Sequence, residues 1–275
     1  MVSTRTVLVF CFLNFVLAAA LFVQIFSFDS LRMPLANVDK IASIHIYKGF
    51  GDENLEIAYD AVLDFKKKAA RALNDDAVKA FIVNVWSSGG DLGIFSDMYD
   101  FLMYIRNKKP VVVFTMNAKS GGFVTALAGS RVVVSDNAFL GQLGSIMVIK
   151  NPSEPTLNIL VVPSGPFKSL GYRPITPEEE ALLKISVEHS LDFLKNAVIK
   201  ARGERLKPGI LEEIDDARFI SAETAKEFGL IDEVGTYAVA VEEALRLTGL
   251  SREGTTIVEY ENGAERIAPE NIYLH

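Results

Sequence analysis

From residue 40 onward, segments with the apolar pattern of strands alternate with segments that have the apolar spacing of helices. Residues 40–47, in which Ile44 and Ile46 alternate with polar side chains, predict a strand, and the apolar runs 78–86 and 110–114 predict two more. The intervening residues have the spacing of amphipathic helices. This alternation is typical of an α/β protein with a parallel sheet. The predicted helices are 56–73, 94–105, 123–129, 176–201, 221–230 and 239–247, and the later strands are 131–135 and 256–260.

A separate apolar run occupies residues 7–28, which carry no charge. As a helix this run would be about 33 Å long, enough to cross a bilayer. We interpret it as a transmembrane anchor between a short tail, residues 1–6, and a linker, residues 29–39. The domain then covers residues 40–250, and a C-terminal strand and tail cover residues 251–275. A cleaved signal peptide is the alternative, because Ala18, Ala19 and Ala20 resemble a cleavage site, although the apolar run continues past them.

Composition and charge exclude several classes of function. The formal net charge is −7, which disfavours binding to nucleic acid. The single cysteine, Cys11, excludes an intrachain disulfide and a cysteine-based zinc site. We find no Walker, HExxH or GxGxxG motif. The sequence therefore predicts neither a cofactor nor a metal ion.

Two glycine turns follow the predicted strands and carry the candidate chemistry. Ser120 precedes Gly121 and Gly122 between a buried strand and a helix, where backbone N–H groups favour developing negative charge. Gly89 and Gly90 follow the preceding strand. Since parallel strands end at the same sheet edge, their amides are expected near Ser120, where an oxyanion would need donors. Both turns also fit ordinary strand-to-helix connections, so the residues alone leave the alternatives open.

A lysine and a well-marked helix lie further along the chain. Lys168 stands between Phe167 and Ser169 in a segment rich in glycine and apolar residues. Burial lowers the pKa of a lysine and allows it to act as a base, whereas a solvated lysine needs no such role. Thr176 and Glu179 have the spacing of a capping box at the start of the long helix.

Five ordered motifs resemble the signal peptide peptidase A family of membrane-anchored serine peptidases, which is related in fold to Clp protease and the crotonases. The resemblance covers roughly residues 40–247. The matching segments are Val85-Trp86-Ser87-Ser88-Gly89-Gly90, Lys119-Ser120-Gly121-Gly122-Phe123, Gly144-Ser145-Ile146-Met147-Val148-Ile149, Lys168-Ser169-Leu170-Gly171 with Thr176-Pro177-Glu178-Glu179, and Gly229-Leu230-Ile231-Asp232-Glu233-Val234-Gly235.

The resemblance implies a Clp protease/crotonase-like superhelix of repeated ββα units with a parallel sheet, and a Ser-Lys dyad. Ser120 would be the nucleophile, Lys168 the general base and Ser145 the residue that holds the lysine amine. The oxyanion donors would be the backbone N–H groups of Gly89, Gly90 and Gly121.

The family also implies an assembly and a location. Single-length members form homo-oligomers in which neighbouring subunits contribute the serine and the lysine. The expected substrates are apolar peptides such as cleaved signal peptides. The protein is expected in the cell membrane as a single-pass protein with its peptidase domain outside the cytoplasm.

Three residues depart from the family pattern and leave two other functions open. Ser88 replaces a proline, Lys119 replaces a small residue and Met147 replaces a glycine. Relaxed catalytic constraint would fit a catalytically silent oligomeric scaffold in the membrane. A crotonase-like acyl-CoA enzyme would share the fold and the oxyanion geometry but would need neither the lysine nor the anchor.

Overall fold

A mostly parallel sheet of eight strands organises the described residues of the computed structural model, which are 38–47, 55–150, 152, 160–261 and 264–267. The strands are β1 (Asp39–Tyr47), β2 (Val78–Ser87), β3 (Val111–Lys119), β4 (Arg131–Gly141), β5 (Phe219–Ile220), β6 (Glu233–Val234), β7 (Thr255–Glu261) and β8 (Ala264–Ile267). The α-helices are α1 (Leu55–Leu73), α2 (Leu92–Arg106), α3 (Gly121–Leu127), α4 (Pro177–Arg202), α5 (Ile210–Glu213), α6 (Ala222–Glu227) and α7 (Tyr237–Thr248), with 3₁₀ turns at Pro166–Ser169 and Gly203–Arg205.

The strand order is β5-β4-β3-β2-β1-β7-β8, and β6 pairs with β4. Neighbours from β4 to β7 in this order are parallel, whereas β5 and β8 pair antiparallel at the edges. The predicted α/β class is therefore confirmed. From β1 to β4 the chain repeats one strand and one helix, not the two strands and one helix that the resemblance implies. The predicted C-terminal strand and tail contribute β7 and β8 to the same sheet.

Both faces of the central strands are buried, which explains their continuous apolar sequences. Phe81 and Val83 of β2 face the core beneath α1 to α4. Ile82 and Val112 face the opposite side and pack with residues of α7, including Val241. Alternating side chains of one strand thus contribute to two cores. Residues that contact a substrate must therefore lie in the turns at the ends of the strand.

Two strands are longer than their apolar patterns predict. The patterns end β3 at residue 114 and β4 at residue 135, but the strands continue to Lys119 and Gly141. Past an irregularity in the register, Asn117, Ala118 and Lys119 pair with the end of β4. Cross-strand hydrogen bonds define these polar strand ends, so they carry no periodic apolar signal. The apolar run that follows Gly141 has no regular secondary structure through residue 150.

The capping box of α4 is confirmed. Thr176 Oγ1 accepts a hydrogen bond from Glu179 N at 3.2 Å, and Glu179 Oε2 accepts one from Thr176 N at 3.0 Å. Pro177 is the first helical residue, and Gly203 ends the helix with a positive φ. The helix buries Leu194 and later residues of one face in the core. Its exposed apolar side chains are Leu182, Ile185, Phe193 and Ile199.

The predicted membrane anchor, residues 7–28, lies outside the described residues. Among the residues that the structure does describe, none of the helices combines the length and the apolar character needed to cross a bilayer.

A buried carboxylate joins α4 to the sheet within the last of the five motifs. Asp232 accepts hydrogen bonds from Val132 N at 2.7 Å, from Arg202 Nη1 at 3.0 Å and from Arg131 Nη1 at 3.0 Å. Its side chain is 4% exposed, and that of Arg202 is fully buried. Burial by itself raises the pKa of Asp232, but the hydrogen bond and charge of Arg202, with the other donors, outweigh burial and hold the pKa below its usual value.

Replacing Asp232 with Asn is expected to lower the free energy of unfolding by roughly 3–5 kcal/mol at pH 7, because Arg202 is left buried without its counter-charge. The depressed pKa means that the charge of Asp232 stabilises the fold above about pH 4 and ceases to do so as the pH falls through its folded-state pKa. Urea unfolding at pH 7 and below about pH 4 should therefore show a difference in the free energy of unfolding between wild type and variant that is smaller at the lower pH. The control Glu227→Gln removes an exposed pair with Lys207 and should change stability by less than about 1 kcal/mol.

Candidate active site

Ser120 occupies the turn between β3 and α3 in a strained backbone conformation. Its φ is 49° and its ψ is −129°, a region that residues other than glycine rarely adopt. The turn is held because Ser120 N donates to Gly141 O at 2.8 Å, while Ser120 O accepts from Phe123 N and Val124 N. This geometry resembles the sharp strand-to-helix turns that present a nucleophilic serine at a sheet edge.

Glycines allow the two turns to touch. A side chain on Gly121 would collide with the ring of Phe95, and one on Gly122 would collide with Ser87 O at the end of β2. Gly89 has a φ of 93°, and a Cβ on it would lie 2.8 Å from Ser120 Cβ. The Gly89-Gly90 turn therefore lies against Ser120, as the parallel strand order predicts.

Ser120 and Ser145 line one cavity of about 610 Å³ at this sheet edge. The Ser120 hydroxyl is half-buried and donates a long hydrogen bond of 3.4 Å to Gly144 O. Ser88, Gly90 and Asp91 contribute polar groups to the wall. The apolar lining residues are Leu92, Phe95, Ile146, Met147, Val187, Leu194 and Ala217. The serine thus lies in the wall of a cavity that mixes polar and apolar groups.

The three backbone groups predicted as oxyanion donors differ in their surroundings. Gly89 N already donates to Ser87 Oγ at 3.2 Å. Gly90 is the one of the three that lines the described cavity. Gly121 is the first residue of α3, where a backbone N–H has no acceptor within its own helix.

Lys168 is exposed on the 3₁₀ turn Pro166–Ser169, and it is absent from the described residues that line the Ser120 cavity. Phe167 beside it is 43% exposed. The described residues therefore do not bury Lys168 in the apolar surroundings that its sequence neighbours suggest. The structure brings together Ser120, Ser145 and the glycine turns, but it does not bring Lys168 to them within one copy.

The three departures from the family pattern lie at or beside the cavity. Ser88 and Met147 are exposed residues of its lining. Lys119 is half-buried at the end of β3, where it pairs with Gly141. None of these residues displaces Ser120, Ser145 or Gly90 from the cavity.

Sequence reasoning missed three supports of the site. Asp91 caps α2 by accepting hydrogen bonds from Gly93 N at 2.9 Å and Ile94 N at 3.1 Å, which fixes the chain just after Gly90. An Asp after a glycine turn is a recognisable cap signal. Gln142 and Ala217 also line the cavity, both with positive φ. Ala217 is distant from Ser120 in sequence, and no local pattern indicates its position.

A strained serine beside a glycine turn, at the carboxyl edge of a parallel sheet, is an arrangement typical of serine hydrolases. The chain's relatives specify it further. Residues 104–251, just over half of the chain, match the family model described as peptidase family S49. The chain therefore belongs to peptidase family S49 and is a serine peptidase by that membership. The resemblance to the signal peptide peptidase A family is confirmed.

Individual relatives share less than a third of their residues with this chain in the matched regions. A putative protease of Methanocaldococcus jannaschii, MJ0651, is 28% identical over 261 residues, which are 89% of this chain and 81% of that protein. A putative signal peptide peptidase SppA of Enterococcus faecium is 23% identical over 72% of this chain and 59% of its own length. Among solved structures, the catalytic domain of ClpP from Plasmodium falciparum has a TM-score of 0.46 at 14% identity, with 70% of this chain and 85% of that chain covered.

Proposed function

We propose that this protein is a membrane-anchored serine endopeptidase with a Ser-Lys dyad, in which Ser120 is the nucleophile and Lys168 of a neighbouring copy is the general base. One observation carries the proposal: the strained Ser120 lies against the Gly89-Gly90 turn and shares a cavity with Ser145. Membership of peptidase family S49 supports the same reaction class.

The proposed reaction assigns a role to each of these groups. Ser120 Oγ attacks the scissile carbonyl carbon and gives its proton to the neutral amine of Lys168. The carbonyl oxygen becomes an oxyanion that accepts hydrogen bonds from the N–H groups of Gly90 and Gly121. Lys168 then gives the proton to the leaving amine as the C–N bond breaks. A water molecule attacks the acyl carbon and gives a proton to Lys168. As the bond from that carbon to Ser120 Oγ breaks, Lys168 returns the proton to Ser120 Oγ, which leaves the new carboxylic acid and the starting form of the enzyme.

Assembly supplies the base in this proposal. Lys168 is exposed in one chain, and an interface that covered it would bring its amine to the cavity of the neighbouring copy. Ser145 in the cavity wall would accept a hydrogen bond from that amine and hold it beside Ser120. The exposed apolar side chains of α4 offer a surface for such contact.

Apolar peptides released in the membrane, such as cleaved signal peptides, are the substrates that we propose. Seven of the described residues that line the cavity are apolar, and an anchor at residues 7–28 would hold the protein at a bilayer. The proposed location is the cell membrane with the peptidase domain outside the cytoplasm. The relative from Enterococcus faecium, which is named a putative signal peptide peptidase, supports the same substrate class.

Hydrolysis of a fluorogenic apolar peptide by the full chain tests this function, with an acyl-CoA thioester offered in parallel. We expect peptide cleavage that a fluorophosphonate blocks and no loss of thioester. Turnover of the thioester alone would identify the crotonase-like alternative. The exposed position of Lys168 also fits a catalytically silent scaffold, and that alternative predicts that an assembled protein turns over neither compound.

A further inference from the structure

The segment that carries Lys168 is a turn closed by its own backbone. Lys168 N donates to Gly165 O at 3.0 Å, and Tyr172 N donates to Ser169 O at 3.2 Å. Leu170 and Arg173 form a β-bridge across the turn. These bonds fix the backbone on both sides of an exposed lysine, so the direction in which its side chain leaves the surface is set by the turn.

Arg173 donates hydrogen bonds to both ends of this turn. Its Nε donates to Ser169 Oγ at 2.9 Å, and its Nη2 donates to Pro166 O at 3.0 Å. Ser169 Oγ itself donates to Pro166 O at 2.7 Å. Ser169 is 7% exposed although its neighbour Lys168 is exposed. One guanidinium group therefore holds the residue after the lysine and the carbonyl two residues before it.

Glu179 in turn anchors Arg173 to α4. Arg173 Nη1 donates to Glu179 Oε2 at 2.9 Å, and Nη2 donates to Oε1 at 2.5 Å, which makes the pair bidentate. The Glu179 side chain is a tenth exposed and also completes the capping box with Thr176. The Arg173 guanidinium lowers the pKa of Glu179 to about 2. The pair is thus fully charged at every pH at which a peptidase would be assayed, and its contribution is lost only as the pH falls towards that value.

The helix that ends this series of contacts also forms part of the cavity wall. Val187, Ser190 and Leu194 of α4 line the cavity that contains Ser120. A continuous series of contacts therefore runs from the cavity wall through Glu179 and Arg173 to the turn.

We propose that Arg173 and Glu179 are positioning residues that hold the Lys168 turn at a fixed orientation relative to α4, and so set the geometry of the Ser-Lys dyad. This inference rests on the proposed role of Lys168 as the base. A capping box needs only Thr176 and Glu179, so the bonds from Arg173 to Ser169 and Pro166 are not explained by helix capping. These bonds hold the backbone on both sides of Lys168, and a general base needs a fixed position relative to its nucleophile.

The variant Arg173→Lys tests the inference. A lysine keeps the charge and one bond to Glu179, but it lacks the planar fork that reaches Glu179, Ser169 and Pro166 together. With a fluorogenic apolar peptide as substrate, we expect kcat to fall about ten- to a hundredfold, since small misplacements of a catalytic group have effects of that size. KM, the melting temperature and the oligomeric state should stay at their wild-type values, because the cavity wall is unchanged.

The matched control is Arg246→Lys on α7. Arg246 also makes two bonds to one carboxylate, that of Glu243, and lies outside the described lining of the cavity, although it is more exposed than Arg173. Its kcat should stay within twofold of wild type. A tenfold loss in this control would mean that Arg-to-Lys changes act through general stability, which would overturn the inference.

Lys168→Met, measured under the same conditions, distinguishes failure of the positioning inference from failure of the proposed function. If Lys168→Met is inactive while Arg173→Lys keeps the wild-type kcat, the positioning inference is wrong and the dyad stands. If Lys168→Met keeps full activity, the proposed function itself fails. If Arg173→Lys also changes the melting temperature or the oligomeric state, Ser169→Ala is measured instead, because it removes only the hydroxyl between Arg173 and Pro166. A loss of kcat of about fivefold or more in Ser169→Ala supports the inference. A wild-type kcat overturns it.

Discussion

Ser120→Ala is expected to lower peptide hydrolysis by a factor on the order of 10⁴ or more, since removal of the nucleophile from a serine peptidase has effects of that size. Alanine keeps the Cβ that packs against the Gly89 turn, and the hydroxyl makes only a long hydrogen bond to Gly144 O. The fold and the cavity should therefore be unchanged while the reacting atom is lost.

Initial rates with a fluorogenic apolar peptide, together with a melting curve, check this expectation. Ser96→Ala is the matched control, because Ser96 Oγ donates to Gly93 O on α2 and has no part in the proposed chemistry. The control should keep the wild-type rate. Hydrolysis by Ser120→Ala at more than about a hundredth of the wild-type rate would remove Ser120 from the mechanism.

Lys168→Met is expected to abolish the alkaline plateau of the pH–rate profile, because methionine is a similar unbranched side chain, one atom shorter, that cannot take a proton from Ser120. An unchanged profile would mean that another group is the base. Since Lys168 is exposed and does not line the described cavity of its own chain, which copy supplies the base needs a separate test.

Mixed assemblies make that test quantitative. If serine and lysine come from neighbouring copies in a ring, an equal random mixture of Ser120→Ala and Lys168→Met subunits forms one intact pair in about four, so about a quarter of the wild-type rate returns. Each variant alone stays inactive. If both groups act within one chain, the mixture also stays inactive, which would contradict the shared dyad.

The strand and helix alternation was accessible from sequence because strands covered on both faces are continuously apolar. The start of α4 was equally accessible, since Thr176, Pro177 and Glu179 are local signals that need no distant partner. The contact between Ser120 and the Gly89 turn follows from one topological rule, that successive parallel strands end at the same edge.

Other features depend on partners that are distant in the sequence. The polar end of β3 is a strand because β2 and β4 pair with it. Ala217 reaches the cavity through the pairing of β5 with the end of β4. Lys168 has apolar neighbours in sequence, yet burial depends on what packs over a turn, and within this chain the lysine is exposed. Arg173 has no motif of its own, and only the structure reveals its bonds to Ser169 and Glu179.

The central claim is that Ser120 is a nucleophile activated by Lys168. Labelling of the full chain with a fluorophosphonate, followed by mass spectrometry of the adduct, tests it most directly. The Ser-Lys mechanism predicts one adduct on Ser120 in the wild type and its loss in both Ser120→Ala and Lys168→Ala, with both variants still folded. An adduct on Ser120 that forms at the wild-type rate in Lys168→Ala, or a wild type that takes no label, would contradict the claim.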